Sequence, residues 1–274
     1  MKQFTVGQEL PPYTVIGYNY AEAHDNKIHS DDVAAQYGFR GGLVPGVGVY
    51  AYLTHPVIEA FGLKWLEHGA MTAKFLKPVY DGEAVCVRSK VASLTPLTLS
   101  LELFNPAGTL CAVGQARLSH SLPAPVASPQ HALPLPEARP LARRQNLPTG
   151  KPLGSLNWKL NLAEIAAKFL NDVRATSLLY RGEKAVCHPA FYLAQANEIL
   201  MANVKLGPWI HTGSEVHHYG LPRDGETLSL GGSVAASFEK RGHEIVILEL
   251  GLFAEQTIPI AHIRHTAIVC LRAN

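Results

Sequence analysis

Gly41-Gly-Leu-Val-Pro-Gly-Val-Gly-Val-Tyr-Ala-Tyr-Leu53 is an apolar stretch led by a proline, and a second one comes much later: Lys184-Ala-Val-Cys-His-Pro-Ala-Phe-Tyr-Leu-Ala-Gln-Ala-Asn-Glu-Ile-Leu200. Each has a proline where a helix would begin, a position at which its missing N–H is harmless. Each is apolar around much of its circumference, as expected of a helix sheathed by other structure. Residues 46–61 and 189–204 are therefore read as two long central helices.

The segments downstream of the two helices are also alike. MTAKFLKPVYDGEAVCVRSKVASL occupies 71–94 and SEVHHYGLPRDGETLSLGGSVAAS occupies 214–237. Pro45 and Pro189 lie 144 residues apart, and Asp81 and Asp224, each opening a DGE turn, lie 143 apart. Two unrelated landmarks at nearly one offset argue for a tandem repeat. Runs rich in Val, Leu, Ile and Thr, punctuated by turn residues, predict strands at 69–77, 83–94, 97–105 and 109–118, then at 209–219, 226–238, 243–254 and 259–271. A long buried helix with an antiparallel meander after it is an α+β arrangement in which the sheet curls around the helix. The expectation is a tandem, or double, hotdog.

Between the repeats, residues 121–152 hold eight of the chain's 19 prolines. Proline fixes φ and removes a donor, so this segment reads as an extended crossing rather than helix or central strand. The implied division is 1–120, a linker at 121–152, and 153–274.

The composition is that of an ordinary globular protein of 274 residues, 47% apolar and 17% charged, with a formal charge of +2. That balance predicts no general attraction to nucleic acid. No apolar run reaches the roughly 20 residues that span a bilayer, and the first residues lack the apolar core of a signal peptide, so the expected place is the cytoplasm. Cys86, Cys111, Cys187 and Cys270 are widely spaced and read as buried free thiols, neither a disulfide frame nor a metal site.

The segment Glu22-Ala-His-Asp-Asn-Lys-Ile-His-Ser-Asp-Asp-Val-Ala-Ala-Gln-Tyr-Gly-Phe39 gathers titrating groups ahead of the first helix. It resembles the active-site loop of the MaoC-like dehydratases, which include the (R)-specific enoyl-CoA hydratases. Their loop reads roughly G-D-x-N-P-[LIV]-H, with Ala or Ser a few residues on. Asn26, Ile28, His29 and Ala35 match it, and Gly38-Phe39 and Val44-Pro45-Gly46 stand where the family has Gly-Phe and Ala-His-Gly. The departures are Ala23 for Gly, Lys27 for Pro, and His24 where the family has its catalytic Asp; Asp25 is one place late. The second repeat lacks the motif, as in double-hotdog hydratases that keep one active half.

The resemblance implies reversible hydration of an enoyl thioester on CoA or a carrier protein, without a metal or cofactor; the double unit could stay a monomer, and a homodimer is the expectation because further pairing through sheet edges or faces is common for the fold. It implies a catalytic set of Asp25 or His24 with His29, holding a water. It also implies a substrate-binding set of Asn26, which would pin the loop, Gly46, whose amide would meet the thioester oxygen, and its neighbour Val47. Hydroxyacyl-carrier dehydratases place a His and a Glu at positions that here are Tyr37 and Ala51, so their dyad is absent. Two other readings stay open: a hotdog thioesterase using Glu198 or His188, and a non-catalytic acyl-thioester binder. Gln195 lies on the same helix as Glu198.

Elsewhere the bland reading prevails. Asp31 and Asp32 charge a helix start. His217 with His218, and His262 with His265, point to opposite faces of strands and form no common metal site. Gly41-Gly42 lacks the Lys-Ser/Thr of a phosphate loop.

Overall fold

A computed structural model describes residues 3–23, 25–118 and 132–272. Among these residues ten strands form one antiparallel sheet: β1 Tyr13–Ile16, β2 Gly69–Phe75, β3 Ala84–Leu94, β4 Leu97–Phe104, β5 Leu110–Leu118, β6 Pro152–Lys159, β7 Ile210–His218, β8 Thr227–Lys240, β9 His243–Ala254 and β10 Ile258–Cys270. Their order is β1-β3-β4-β5-β2-β7-β10-β9-β8-β6. Read from the centre outwards, the two halves repeat one order, and they join where β2 pairs with β7, Ala70 opposite His217 through Lys74 opposite Gly213. The helices are α1 Asp31–Gln36, α2 Gly46–Phe61, α3 Leu63–His68, α4 Leu162–Ala167, α5 Phe169–Asp172 and α6 Pro189–Asn203. Each half thus has its sheet around one long helix, α2 or α6, and these two helices pack on each other.

The helices begin where their prolines predict, and their apolar character is explained by burial. Tyr50, Tyr52 and Leu53 of α2, and Tyr192, Leu193 and Ile199 of α6, are inaccessible to solvent. Each fully buried large side chain contributes about 1.5–3 kcal/mol through removal of apolar area from water.

The duplication is visible in single hydrogen bonds. Asp81 Oδ1 accepts from the Asn19 amide at 2.8 Å, and Asp224 Oδ1 from the Leu162 amide at 2.7 Å. The Gly82 and Gly225 amides donate to Gly17 and Leu160 carbonyls, and Glu83 and Glu226 accept from the Tyr80 and Arg223 amides. Every partner in one half lies 143 residues from its counterpart in the other.

Two elements differ from the sequence reading. The edge strands β1 and β6 were not expected, and β6 starts on Pro152, inside the segment read as linker. An edge strand tolerates proline at its first residue because no neighbour there needs the missing N–H. The described part of that segment is bound to the second half. Leu133 and Ser155 exchange two hydrogen bonds, Lys205 donates to the Pro140 carbonyl, and Ala142 donates to the Lys205 carbonyl. The cysteines are free; Cys111 and Cys187 are buried, while Cys86 and Cys270 are half-buried rather than buried. No helix among the described residues is long and apolar enough to cross a membrane.

Candidate functional site

The loop that holds the motif is bound on both sides. Asn26 forms the N-cap of a single 3-10 turn, Lys27–His29, and its side chain does more than cap. Its Oδ1 accepts from the Trp209 amide at 3.2 Å and its Nδ2 donates to the Trp209 carbonyl at 3.0 Å, so a side chain of the first half pairs with the backbone of the second as a strand would. The carbonyl of His29 accepts from Asn19 Nδ2 at 2.7 Å. Gly42 runs so close beneath that a Cβ there would stand 2.1 Å from this carbonyl, which requires glycine. Asp31 Oδ1 accepts from the Gly42 amide at 2.7 Å, so this carboxylate holds the loop in addition to charging the start of α1.

The imidazole of His29 is fixed by its Nδ1, 2.7 Å from the carbonyl oxygen of Leu43. A carbonyl only accepts, so the proton lies on Nδ1 and Nε2 is the basic nitrogen. Nε2 lies 3.4 Å from Asn26 Nδ2.

His29 and Asn26 line a cavity of about 330 Å³ between the two halves. Gly46 and Val47, at the start of α2, line it too. The Gly48 and Val49 amides donate to the Pro45 carbonyl, whereas those of Gly46 and Val47 precede any acceptor within the helix. Two residues whose amides lack an intrahelical acceptor, and the positive end of a sixteen-residue helix, therefore stand at the cavity wall, an arrangement that stabilises negative charge on an oxygen. The remaining walls include Tyr20, Phe39, Phe75 and Val79 from the first half, and Phe169, Met201 and Trp209 from the second.

The N-terminus of α6 has lost this capacity. Pro189 has no N–H, the Ala190 amide donates to His188 Nδ1 at 3.1 Å, and the Phe191 amide donates to the His188 carbonyl. His188 is thus a buried cap, outside the cavity, held neutral by burial with its pKa pushed down to about 3. Its Nε2 lies 3.5 Å from Thr54 Oγ1.

Asp25 is exposed and does not line the cavity. His24 lies outside the described residues. Glu198 lines the cavity from α6, and Gln195 does not. His217 and His262 lie on one face of the sheet beside Glu215 and Glu249, while His218 packs against Trp65 and Tyr192 on the other.

A group that the sequence reading missed stands behind Gly46. His211 of β7 lines the cavity, and its Nε2 lies 2.8 Å from Ser214 Oγ, which lies 3.1 Å from Nδ1 of His265 on β10. The two rings are 4.2 Å apart. All three residues are buried, and burial holds both imidazoles neutral, His265 with its pKa pushed down to about 3. A Cβ on residue 46 would come within 2.9 Å of both His211 Nδ1 and Phe75, so Gly46 is the residue that admits His211.

No family model matches this sequence, and no curated protein sequence matches it. Solved structures do. The chain superposes on a protein from Chloroflexus aurantiacus described as a MaoC-domain dehydratase with a TM-score of 0.70, at 11% identity over 98% of this chain and 96% of that one. A conserved double-hotdog protein from Mycobacterium tuberculosis gives 0.59 at 17% identity, over 97% and 96%. The chain is a double hotdog. A protein from Lactobacillus plantarum described as an oleoyl thioesterase shares this double hotdog too, with a TM-score of 0.57 at 8% identity over 96% and 97%. At these identities the likeness is one of fold, so the chemistry of the double hotdog has to be argued from its own cavity.

Proposed function

We propose that the protein acts on acyl thioesters and catalyses the reversible addition of water to a 2-enoyl thioester. The observation that carries this reading is a histidine whose proton is held at Nδ1 by a carbonyl, in one cavity with two helix-start amides. His29 Nε2 takes a proton from water as the oxygen adds to the β-carbon. The electron pair of the double bond moves onto the thioester oxygen, which the Gly46 and Val47 amides hold as it becomes an enolate. The imidazolium then returns that proton to the α-carbon, giving the 3-hydroxyacyl thioester and a neutral His29. Asp25 has no part in this version, because it is exposed and outside the cavity; His24 is the other candidate to help hold the water. The acyl carrier is CoA or a carrier protein.

The test is loss of the conjugated thioester's absorbance when the protein meets crotonyl-CoA and longer 2-enoyl-CoAs. Turnover that disappears in His29→Ala supports the reading, and no turnover at any chain length overturns it.

Glu198 favours a second reading, because, although exposed, it lines the same cavity from the central helix of the second half. A carboxylate there can activate water for attack on the thioester carbonyl, which releases a free thiol. Hydration releases none, so a thiol reagent separates the two.

A further inference from the structure

Among the described residues, three buried side-chain atoms in the cavity's lining residues have no hydrogen-bond partner: Asn197 Oδ1, Trp209 Nε1 and His211 Nδ1. All three belong to the second half, the one without the motif. Of the polar side chains that the first half contributes here, Asn26 and His29 are instead tied to backbone groups. Buried polar groups in folded proteins are nearly always paired; other unpaired atoms lie elsewhere in the described residues, among them Tyr50 Oη and Trp158 Nε1, so it is the grouping of these three in the lining residues of one cavity that points to a ligand carrying polar atoms.

Two of the three adjoin the end already described. His211 Nδ1 lies against Gly46, and Trp209 is paired through its backbone with Asn26. Asn197 is different. It sits on α6 between Ala194 and Met201, three residues before it and four after, which place apolar side chains on the same face of the helix and in the same wall. Phe169 adds to that wall. A leucine at 197 would complete an apolar surface for a plain hydrocarbon chain. An amide there is a liability unless something pairs with it.

Resting on the acyl-thioester reading above, we propose that the acyl group taken by this cavity carries a second oxygen, remote from the thioester, and that Asn197 is the specificity-determining residue that reads it. A carboxamide accepts through Oδ1 and donates through Nδ2, so it matches a hydroxyl in both directions and a carbonyl in one. Glu198 and Lys77 line the same cavity with opposite charges, and the amide itself carries none, so its natural partner is a neutral oxygen. An unsubstituted chain of the same length would strip water from the amide and return nothing, which is how a site discriminates against an analogue that lacks a hydroxyl.

The experiment is calorimetric titration of the full chain with matched saturated thioesters, none of which can be hydrated. The pairs are hexanoyl-CoA against 6-hydroxyhexanoyl-CoA, and 3-phenylpropanoyl-CoA against 3-(4-hydroxyphenyl)propanoyl-CoA. The expected result is that at least one hydroxylated member binds about tenfold more tightly than its partner, and that Asn197→Leu removes the preference without weakening the unsubstituted member. Asn197→Ala serves the same purpose if a melting curve shows the leucine variant to be unfolded. Equal binding within both pairs, or a preference that survives in the folded variant, overturns the role of Asn197 while leaving the acyl-thioester reading standing. Failure of all four thioesters to bind removes that reading, and the proposal with it.

Discussion

Asn26 holds Trp209 at both its N–H and its C=O, at 3.2 and 3.0 Å, across 183 residues of sequence. This one side chain ties the motif loop of the first half to the backbone that leads into β7 of the second. Both the loop's position and the closure of the cavity between the halves depend on it, so the site is a property of the tandem rather than of either repeat.

Replacing Asn26 with alanine removes both bonds and leaves the buried Trp209 N–H without an acceptor. The expected loss is about 1–3 kcal/mol of stability. At about 2–4 °C per kcal/mol for a chain of this size, the melting temperature should fall by several degrees. His29 should lose its position as well, so any turnover should fall more than the folded fraction does. An Asn26→Ala protein with unchanged melting and unchanged turnover would contradict the role given to this pair.

Gly46 and His211 form a second matched pair. In Gly46→Ala the new methyl meets His211 Nδ1 and Phe75 at 2.9 Å, closer than such carbons approach in folded proteins, and α2 or the imidazole must shift. Stability should fall by about 1–3 kcal/mol, the usual range for overpacking. Gly46→Ala combined with His211→Ala should be less damaging than the sum of the single changes, because the alanine at 211 removes one of the two obstacles that the new methyl meets. Additive effects in urea denaturation would show that the two do not meet.

The long elements were legible because each carries its own signal. Residues 46–61 and 189–204 are proline-led and apolar, and the structure places α2 at Gly46–Phe61 and α6 at Pro189–Asn203. The predicted strands fall within a few residues of β2–β5 and β7–β10. The short edge strands were not legible. β1 has four residues, and β6 begins on a proline in a run that reads as linker.

The cavity was legible only where its residues are neighbours in sequence. The loop and the helix start just after it, Asn26, His29, Gly46 and Val47, lie in one wall. His211 and Ser214 are three apart on a strand, which by simple alternation puts them on opposite faces. A β-bulge skips Thr212, where Gly213 pairs with Thr266 but His211 pairs with Ala267, and this turns both side chains to the same side. Their partner His265 is 51 residues beyond Ser214 and is brought there only by the β7–β10 pairing. No period in the sequence shows such a group.

Acid should unfold this protein through its buried histidines. His188, His218 and His265 are each held neutral in the folded state, with pKa values lowered by burial to about 3. Unfolded, each takes a proton near pH 6.5. Below that pH the unfolded chain binds protons that the folded chain refuses, so stability falls as pH falls from 6.5 towards 3. Each group contributes a slope approaching about 1.4 kcal/mol per pH unit within that window. Urea denaturation between pH 7 and pH 4.5 should show this decline, and His265→Asn should flatten it by about one histidine's share. A stability that holds level from pH 7 to pH 4.5 would mean that these imidazoles are not buried neutral.

The two DGE turns allow one test that separates the repeats. Asp81 and Asp224 make equivalent bonds, to the Asn19 and Leu162 amides, so Asp81→Ala and Asp224→Ala should each cost about 1 kcal/mol of stability. Their effects on chemistry should differ. Asn19 passes its position on, because its Nδ2 donates to the His29 carbonyl at 2.7 Å. Leu162 has no side-chain donor with which to do the same. Asp81→Ala should therefore disturb His29 and lower kcat on whichever acyl thioester is turned over, whereas Asp224→Ala should leave kcat near that of the unaltered protein once the folded fraction is matched. Equal losses of kcat in the two variants would show that the turn in the first half acts on stability alone, and that the path from Asp81 through Asn19 does not position His29.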